Sequence, residues 1–130
     1  MVKKKAKKTV LIVEDDSMLR KVLTRRIAEE GYRVLEAEDG QEGLQIALKK
    51  HPDLLLLDLM MPVMDGVEML KELRKDKWGS GVYVYILTNK EPDTDILDEA
   101  EREPYRSTYL MKSDYGIDEM VEVVNGYFEK

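Results

Sequence analysis

Polar side chains follow four apolar, strand-like segments of this sequence, each at the point where the segment ends. They are Glu14 and Asp15, Asp58, Thr88, and Lys112. The carboxyl ends of parallel strands lie along one edge of an open α/β sheet, which is where such sheets bind their ligands. We therefore expect these five side chains to form one site.

Three carboxylates in one site repel one another, and each raises the pKa of its neighbours. A bound cation removes this conflict, and carboxylates with water are the ligand set of a hard ion such as Mg²⁺. Zinc is a poor candidate, because the chain has no cysteine and its one histidine, His51, stands beside Pro52 at the end of a predicted helix. We therefore predict a Mg²⁺ site formed by the acids and a surface position for His51.

A carboxylate beside Mg²⁺, an ammonium and a hydroxyl together form a site for phosphoryl transfer. Asp58 can attack phosphorus and form an acyl phosphate. Mg²⁺ and Lys112 would neutralise the transferred oxygens, and Thr88 would donate a hydrogen bond to one of them. Taken singly, each residue has an ordinary explanation as a helix cap, a strand residue or a solvated side chain. The combination is specific because four strand ends supply complementary groups.

Alternating strand and helix patterns must position these groups. Apolar runs predict strands at 9–13, 32–37, 53–57, 82–87 and 107–111. Capping residues and helical periodicity predict helices that begin near Ser17, Asp39, Val67, Pro92 and Ile117. The predicted inward positions are Leu19, Val22, Leu23 and Ile27 in the first helix and Leu44, Ala47 and Leu48 in the second. Five strands and five helices in alternation predict a doubly wound parallel α/β sheet with right-handed crossovers.

The third strand is the centre of this prediction. Its four consecutive leucines, 54–57, show no polar alternation, which is typical of a strand covered on both faces. After Asp58, Pro62 stiffens the loop, and Asp65 with Glu68 predicts a capped start for the next helix.

The composition indicates an ordered globular domain with an uneven charge distribution. Its 130 residues suffice for one hydrophobic core. The net charge is −6, but residues 1–8 contain five lysines, so residues 9–130 carry −11. We predict a basic tail, 1–8, and one acidic domain, 9–130, that does not bind nucleic acid nonspecifically. The absence of cysteine, of a secretory signal and of a long apolar run is compatible with a cytoplasmic protein without a membrane span.

The motifs of the chain resemble those of the receiver domains of two-component response regulators, particularly the single-domain chemotaxis type. The resemblance covers residues 9–128 and rests on Val-Leu-Ile-Val-Glu-Asp-Asp, Asp-Leu-Leu-Leu-Leu-Asp-Leu-Met-Met-Pro-Val-Met-Asp-Gly, Ile-Leu-Thr and Tyr-Leu-Met-Lys. It implies the flavodoxin-like fold, with five helices around a five-stranded parallel sheet of strand order 2-1-3-4-5.

The resemblance also implies roles for the acids. Asp58 would accept a phosphoryl group from a phosphohistidine on a sensor histidine kinase or a phosphotransfer protein. Asp15 and Asp58 would ligate Mg²⁺, Glu14 would act on the ion through water, and Met60 would supply a backbone carbonyl. Such a domain catalyses its own phosphorylation and dephosphorylation but turns over no metabolite, so it is not counted as an enzyme.

A switch is implied by the same resemblance. Thr88 and Lys112 would contact the phosphoryl group, and Tyr109 matches the family's aromatic switch position. In the family the threonine hydroxyl moves toward the phosphoryl group and the aromatic side chain turns inward. This remodels the face formed by the fourth helix, the fifth strand and the fifth helix. We expect a downstream protein to bind that face, and the chain to be a monomer or a weak dimer.

Three features depart from the family's pattern. Asn89 replaces a small residue beside the phosphoryl pocket, and we expect it to alter autodephosphorylation or access. Ser113 follows Lys112 where the family commonly has a proline joined by a cis bond. A cis bond to serine costs roughly 2.5–4 kcal/mol, so we expect a trans bond or a distorted loop. The segment 101–107 lacks the Gly-Ala that the family has before the fifth strand. The sequence therefore does not define where the fourth helix ends or how the output face is formed.

The sequence disfavours three alternatives to this function. A Mg²⁺-dependent phosphatase with an aspartyl nucleophile usually has a second acid two residues further on, where this chain has Met60. A degenerate receiver that only binds partners is disfavoured by retention of Glu14, Asp15, Asp58, Thr88 and Lys112. We expect a stand-alone receiver rather than a domain excised from a larger regulator, because Met1 and the lysine tail precede the domain without a linker.

Overall fold

The computed structural model describes residues 7–89 and 106–129. Its elements are β1 Thr9–Val13, α1 Ser17–Glu29, β2 Arg33–Ala37, α2 Gly40–Lys50, β3 Leu54–Asp58, α3 Gly66–Lys75, β4 Tyr83–Thr88, β5 Ser107–Met111 and α4 Ile117–Phe128. All five predicted strands are present, with ends that differ by at most one residue. The predicted helix that begins near Pro92 lies outside the described residues, so the structure shows four of the five predicted helices. None of the helices in the described ranges combines the length and apolarity needed to cross a bilayer.

The five strands form one parallel sheet in the order β2-β1-β3-β4-β5, which confirms the predicted α/β fold and strand order. β3 lies at the centre, and all five of its residues are buried. It runs one residue further than predicted, so Asp58 is itself the last residue of the strand and is in register with Leu87 of β4. Parallel pairing brings the ends of β1, β3, β4 and β5 to one side of the sheet, which we call the carboxyl edge.

The sheet divides the hydrophobic core into two layers. Leu55 and Leu57 of β3 pack in one layer with buried residues of α2 and α3. Leu54 and Leu56 pack in the other layer with buried residues of α1 and α4. Because helices cover both faces, every position of this strand is apolar except the last, as expected for the central strand of a parallel sheet.

The inward face of α1 is rotated from the predicted one. Leu23 and Ile27 are fully buried, as predicted, but Val22 is 40% exposed, so its predicted inward position is wrong. Arg20 is buried instead, because it lies three residues before Leu23 and seven before Ile27, on the same helical face. An apolar pattern alone does not place a cationic side chain on the inward face of α1.

The inward face of α2 differs in the same way. Ala47 is fully buried, as predicted, whereas Leu48 is 37% exposed. Gly43 faces the sheet in its place, since a Cβ there would approach the side chain of Val13 to 2.8 Å. A glycine thus marks the closest approach of helix and sheet, and an apolar stripe alone does not reveal that position.

Aspartate side chains cap the starts of three helices. Asp16, Asp39 and Asp65 accept hydrogen bonds from first-turn N–H groups of α1, α2 and α3. Gly31 follows α1 with a φ of +103°, in the left-handed region that favours glycine after a helix.

The opposite edge of the sheet, at the amino ends of the strands, contains the only histidine and the only tryptophan of the chain. His51 is exposed, which confirms its predicted surface position, and its ring stacks on Trp78 at a centroid distance of 4.4 Å. The neighbouring Asp53 accepts a hydrogen bond of 2.8 Å from the N–H of Thr9, at the start of β1. This edge is therefore remote from the predicted site.

The rotation of α1 can be tested with two neighbouring truncations. Leu23→Ala is expected to lower the free energy of unfolding by about 2–4 kcal/mol, because it leaves a cavity at a fully buried position. Val22→Ala is expected to change it by less than about 1 kcal/mol, because Val22 is 40% exposed and its truncation leaves no enclosed cavity. Urea unfolding of both variants measures the difference, and equal losses would contradict the described orientation of α1.

Candidate functional site

The carboxyl edge brings the three predicted acids together. Glu14 follows β1 and Asp58 ends β3, and both are buried, whereas Asp15 is exposed. One carboxylate oxygen from each of the three residues lies within 4.8 Å of the other two. We call Glu14, Asp15 and Asp58 the acid cluster. Three hard oxygen donors at this spacing suit a single divalent cation such as Mg²⁺.

Lys112 lies against the acid cluster. Its ammonium is 2.6 Å from Glu14 Oε1 and 3.5 Å from Asp58 Oδ1, and its side chain is only 12% exposed. Its backbone N–H donates to the carbonyl of Thr88 at 2.7 Å, which joins the ends of β4 and β5. One buried positive charge thus bridges two buried acids and reduces their mutual repulsion.

The two residues expected to form the switch lie on adjacent strands. Thr88 ends β4 and is buried. Tyr109 of β5 is half-buried, is in register with Ile86, and packs against the core layer that α2 and α3 cover. The Thr88 side chain is therefore buried and the Tyr109 side chain partly buried, on the two adjacent strands that end near the acid cluster.

Burial and charge both act on Asp58. The pKa of its carboxyl group is raised to about 7, chiefly by burial and next by repulsion from Glu14. Lys112 and the N–H of Met60, which donates to Asp58 Oδ1 at 3.3 Å, oppose this rise. The charged form of Asp58 is therefore costly in this pocket without a cation, and a bound divalent cation would favour it.

The start of α3 fixes the backbone of Asp58. The N–H of Gly66 donates to the carbonyl of Leu59 at 3.0 Å. A Cβ on Gly66 would come within 2.5 Å of the carbonyl oxygen of Asp58, which is closer than a side-chain atom can approach. Asp65 caps the helix directly before this contact. The Asp-Gly pair therefore positions both the helix and the end of the central strand.

Exposed apolar side chains lie on the segments that follow Asp15 and Asp58 in the chain. Met60 and Val63, in the loop after Asp58, are 51% and 75% exposed, and Met18 in the first turn of α1 is 77% exposed. We call these three residues the apolar rim. Val63 has a φ of +70°, a strained conformation for a β-branched residue. The loop thus holds an apolar side chain in solvent beside the site.

Two of the departures from the family pattern fall within the described residues. The Lys112–Ser113 peptide bond is trans, which confirms the expectation for serine. The chain then turns, and the N–H of Asp114 donates to the carbonyl of Met111 at 3.0 Å. Asn89 is exposed directly after β4, and its effect on autodephosphorylation stays a prediction. Residues 101–105 of the third departure lie outside the described ranges.

One residue at the site was missed in the sequence. The guanidinium of Arg20 donates to the backbone carbonyl of Glu14 at 2.7 Å and to the carboxylate of Glu36 at 3.2 Å. The available signal was a cation spaced three and seven residues before Leu23 and Ile27, which places it on the inward face of α1.

Comparison with known proteins agrees with this geometry. A family model described as response regulator receiver domain matches residues 10–125. The chain is 36% identical over 86 residues to PilH of Pseudomonas aeruginosa, a match that covers 66% of this chain and 71% of PilH. It is 39% identical over 111 residues to KdpE of Escherichia coli, covering 85% of this chain and 47% of KdpE. The match to the ycf27 protein of Porphyridium aerugineum is 42% identical over 82 residues, covering 63% of this chain but only 33% of that relative. The chain thus spans about a third of the length of such curated relatives.

Solved structures show the same similarity. The chemotaxis protein CheY4 of Vibrio cholerae superposes with a TM-score of 0.79 at 27% identity, covering 92% of this chain and 98% of CheY4. A receiver domain of the Francisella response regulator 1452 superposes with a TM-score of 0.79 at 28% identity, covering 94% and 97% of the two chains.

The raised pKa of Asp58 predicts the pH dependence of stability in the absence of metal. An acid with a higher pKa in the folded than in the unfolded state destabilises the fold as pH rises through that interval, here from about 4 to about 7. Each pKa unit is worth about 1.4 kcal/mol, and solvent screening at the pocket mouth reduces the sum to roughly 1–3 kcal/mol. Asp58→Asn is therefore expected to stabilise the metal-free protein by that amount at about pH 8, and by much less at about pH 5.

Urea unfolding in the presence of a chelator measures this difference. Asp114→Asn is the matched control, because that acid is exposed and the same change should alter stability by less than about 0.5 kcal/mol at either pH. An equal effect of the two substitutions at about pH 8 would contradict the electrostatic account of Asp58.

The contact between Gly66 and Asp58 predicts opposite outcomes for two identical substitutions. Gly66→Ala is expected to cost about 1–3 kcal/mol and to weaken Mg²⁺ binding, because the methyl group displaces the backbone of Asp58. Gly126→Ala, in α4, meets open space and is expected to stabilise the fold by up to about 1 kcal/mol without changing Mg²⁺ binding. Urea unfolding and calorimetric Mg²⁺ titration measure both effects, and an unaltered Mg²⁺ affinity in Gly66→Ala would refute the positioning role.

Proposed function

The chain belongs to the response regulator receiver domain family, and we propose that Asp58 is the residue at which it accepts a phosphoryl group. Phosphoacceptor signalling is the function of this family. One observation carries the assignment to Asp58. Its carboxylate is buried at the end of the central strand, 3.5 Å from the Lys112 ammonium and beside two further acids.

The acid cluster fits the Mg²⁺ ion on which receiver phosphorylation depends. Asp15, Asp58 and the backbone carbonyl of Met60 would hold the ion. Both carboxylate oxygens of Glu14 are already hydrogen-bonded, to Lys112 at 2.6 Å and to the N–H of Asp16 at 3.1 Å. This supports a water-mediated role for Glu14 rather than direct ligation. When bound, the ion supplies positive charge to the oxygens of the transferred group.

Asp58 supplies the nucleophile. One carboxylate oxygen attacks phosphorus in line with the phosphohistidine nitrogen, the P–N bond breaks, and an acyl phosphate and a free histidine result. The Lys112 ammonium already contacts Glu14 and Asp58. From this position it would stabilise the negative charge that develops on the phosphoryl oxygens during transfer. The buried hydroxyl of Thr88, on the adjacent strand, would donate to a phosphoryl oxygen.

The output of this charge change is assigned to the face formed by the predicted fourth helix, which lies outside the described residues, together with β5 and α4, the predicted fifth helix. A hydrogen bond between the backbones of Lys112 and Thr88 couples the ends of β4 and β5, so a displacement of Thr88 toward the phosphoryl group is communicated to β5. Tyr109, half-buried on that strand, would turn inward in response. Such a small charge event biases an element with two packings, and a downstream protein reads the face that results.

The apolar rim supports docking of the phosphodonor protein. Met18, Met60 and Val63 are exposed on the two segments that follow Asp15 and Asp58, and a sensor histidine kinase or phosphotransfer protein would contact them as it presents its phosphohistidine to Asp58. Apolar side chains held in solvent around a charged centre are typical of a protein-binding surface.

Residues 9–130 are proposed to form the receiver unit, preceded by the basic tail 1–8. Its catalysis is confined to its own Asp58. A steady-state phosphatase is disfavoured because Met60 occupies the position of the second acid. A degenerate receiver that acts only as a constitutive binding module is disfavoured because the acid cluster and Lys112 are present together.

Phosphorylation by acetyl phosphate with Mg²⁺ tests the proposal. The parent protein is expected to gain one phosphoryl group, measured by intact-protein mass spectrometry, and a chelator is expected to abolish the gain. Asp58→Asn should gain none, whereas Asp114→Asn, the exposed-acid control, should react like the parent. Uptake of one phosphoryl group by Asp58→Asn would overturn the assignment.

A further inference from the structure

Arg20 is a cation in a place that disfavours cations. It lies in the first turns of α1, where the helix dipole opposes positive charge, and it is only 8% exposed. It shares the inward face of the helix with Leu23 and Ile27, which are fully buried. Burial of a guanidinium is costly unless its donors are paired, so its partners identify what it does there.

The partners of Arg20 lie on two adjacent strands. Nη1 donates to the backbone carbonyl of Glu14 at 2.7 Å, directly after β1, and Nε donates to Glu36 Oε1 of β2 at 3.2 Å. Glu36 also faces the exposed ammonium of Lys21 at 3.7 Å. The rigid fork of a guanidinium can hold two acceptors at fixed directions, which a lysine ammonium on a flexible stem does not reproduce.

The carbonyl that Arg20 binds belongs to the peptide between the first two acids of the cluster. On the other side of Glu14, its N–H donates to the carbonyl of Ala37 at 3.0 Å. The backbone of Glu14 is therefore held from β2 through its N–H and from α1 through its carbonyl. Asp15 is exposed, and the direction of its carboxylate depends on the orientation of this peptide.

We propose that Arg20 is a positioning residue for the Mg²⁺ site, which orients the Glu14–Asp15 peptide so that both carboxylates face Asp58. Arg20 acts through the carbonyl of Glu14 and does not contact the ion. The inference rests on the proposed function, since it concerns the same metal site. Groups that orient metal ligands commonly affect metal affinity by about 10–100-fold when removed.

The sign of the effect separates positioning from simple electrostatics. If Arg20 acted only as a nearby positive charge, its removal would strengthen the binding of a divalent cation, because repulsion would be lost. If it orients the peptide, its removal weakens binding despite the lost repulsion. Lys21 provides a matched control, since it is the next residue, carries the same charge and faces the same Glu36. Among the described residues, Lys21 forms no hydrogen bond or ion pair with Glu14.

Calorimetric Mg²⁺ titration of the full chain tests the proposal, with urea unfolding in chelator as the check on folding. Arg20→Met is expected to weaken Mg²⁺ binding by about tenfold or more. Arg20→Lys is expected to stay weaker than the parent although it keeps the charge, and Lys21→Met to bind as tightly as the parent or more tightly. NMR of the metal-free proteins gives a second readout. The backbone amide resonances of Asp15 and Asp16 are expected to shift in Arg20→Met but not in Lys21→Met.

Parent-like or tighter Mg²⁺ binding by Arg20→Met would overturn the positioning role, as would full recovery of affinity in Arg20→Lys. If Arg20→Met does not fold, Arg20→Lys decides alone, because it keeps the charge and the aliphatic stem. If the parent itself binds no Mg²⁺, the proposed function fails together with this inference. If the parent binds Mg²⁺ and Arg20→Met binds it with the same affinity, the positioning role is rejected while the proposed function stands.

Discussion

Mutual repulsion among three carboxylates at the end of a buried sheet is the constraint on which the rest of the structure depends. Glu14 and Asp58 are nearly inaccessible to solvent, and neither position would tolerate a charge without compensation. Lys112 provides part of that compensation by contacting both acids. The remainder of the compensation would come from the cation that we propose, which would relieve the repulsion among the three acids.

The scaffold around this arrangement is correspondingly rigid. The central strand is apolar up to its last residue and is covered by helices on both faces, so Asp58 cannot withdraw into solvent. Gly66 brings α3 into contact with the backbone of Asp58, and Arg20 brings α1 into contact with the backbone of Glu14. In both cases a helix start determines where an acid of the neighbouring strand end lies. The proposed binding and switching would therefore need only small movements of groups that the fold already holds close together.

Much of this architecture could be predicted from the sequence, because its signals are local. The leucine run, the aspartate caps and the glycine after α1 each fix a strand, a helix start or a helix end within a few residues. The convergence of Glu14, Asp58 and Lys112 followed from one rule about parallel strands. Helix rotation was harder, because Val22 and Leu48 fit the apolar period as well as the residues that are in fact buried. Arg20 faces the sheet because it binds the carbonyl of Glu14, and Gly43 faces it because the side chain of Val13 leaves no room for a larger residue. Both causes lie outside the helix concerned, so the residue pattern of a single helix does not reveal them.

The stack of His51 on Trp78 has a consequence for optical work on this protein. The indole is the only one in the chain and lies at the amino edge of the sheet, while the acid cluster lies at the carboxyl edge. A five-residue strand is about 16 Å long, so the fluorophore is separated from the acids by roughly the length of the sheet. Contact quenching by an ion at the acid cluster cannot act over that distance. A change in tryptophan emission on addition of Mg²⁺ or a phosphodonor would instead report a rearrangement transmitted through the strands.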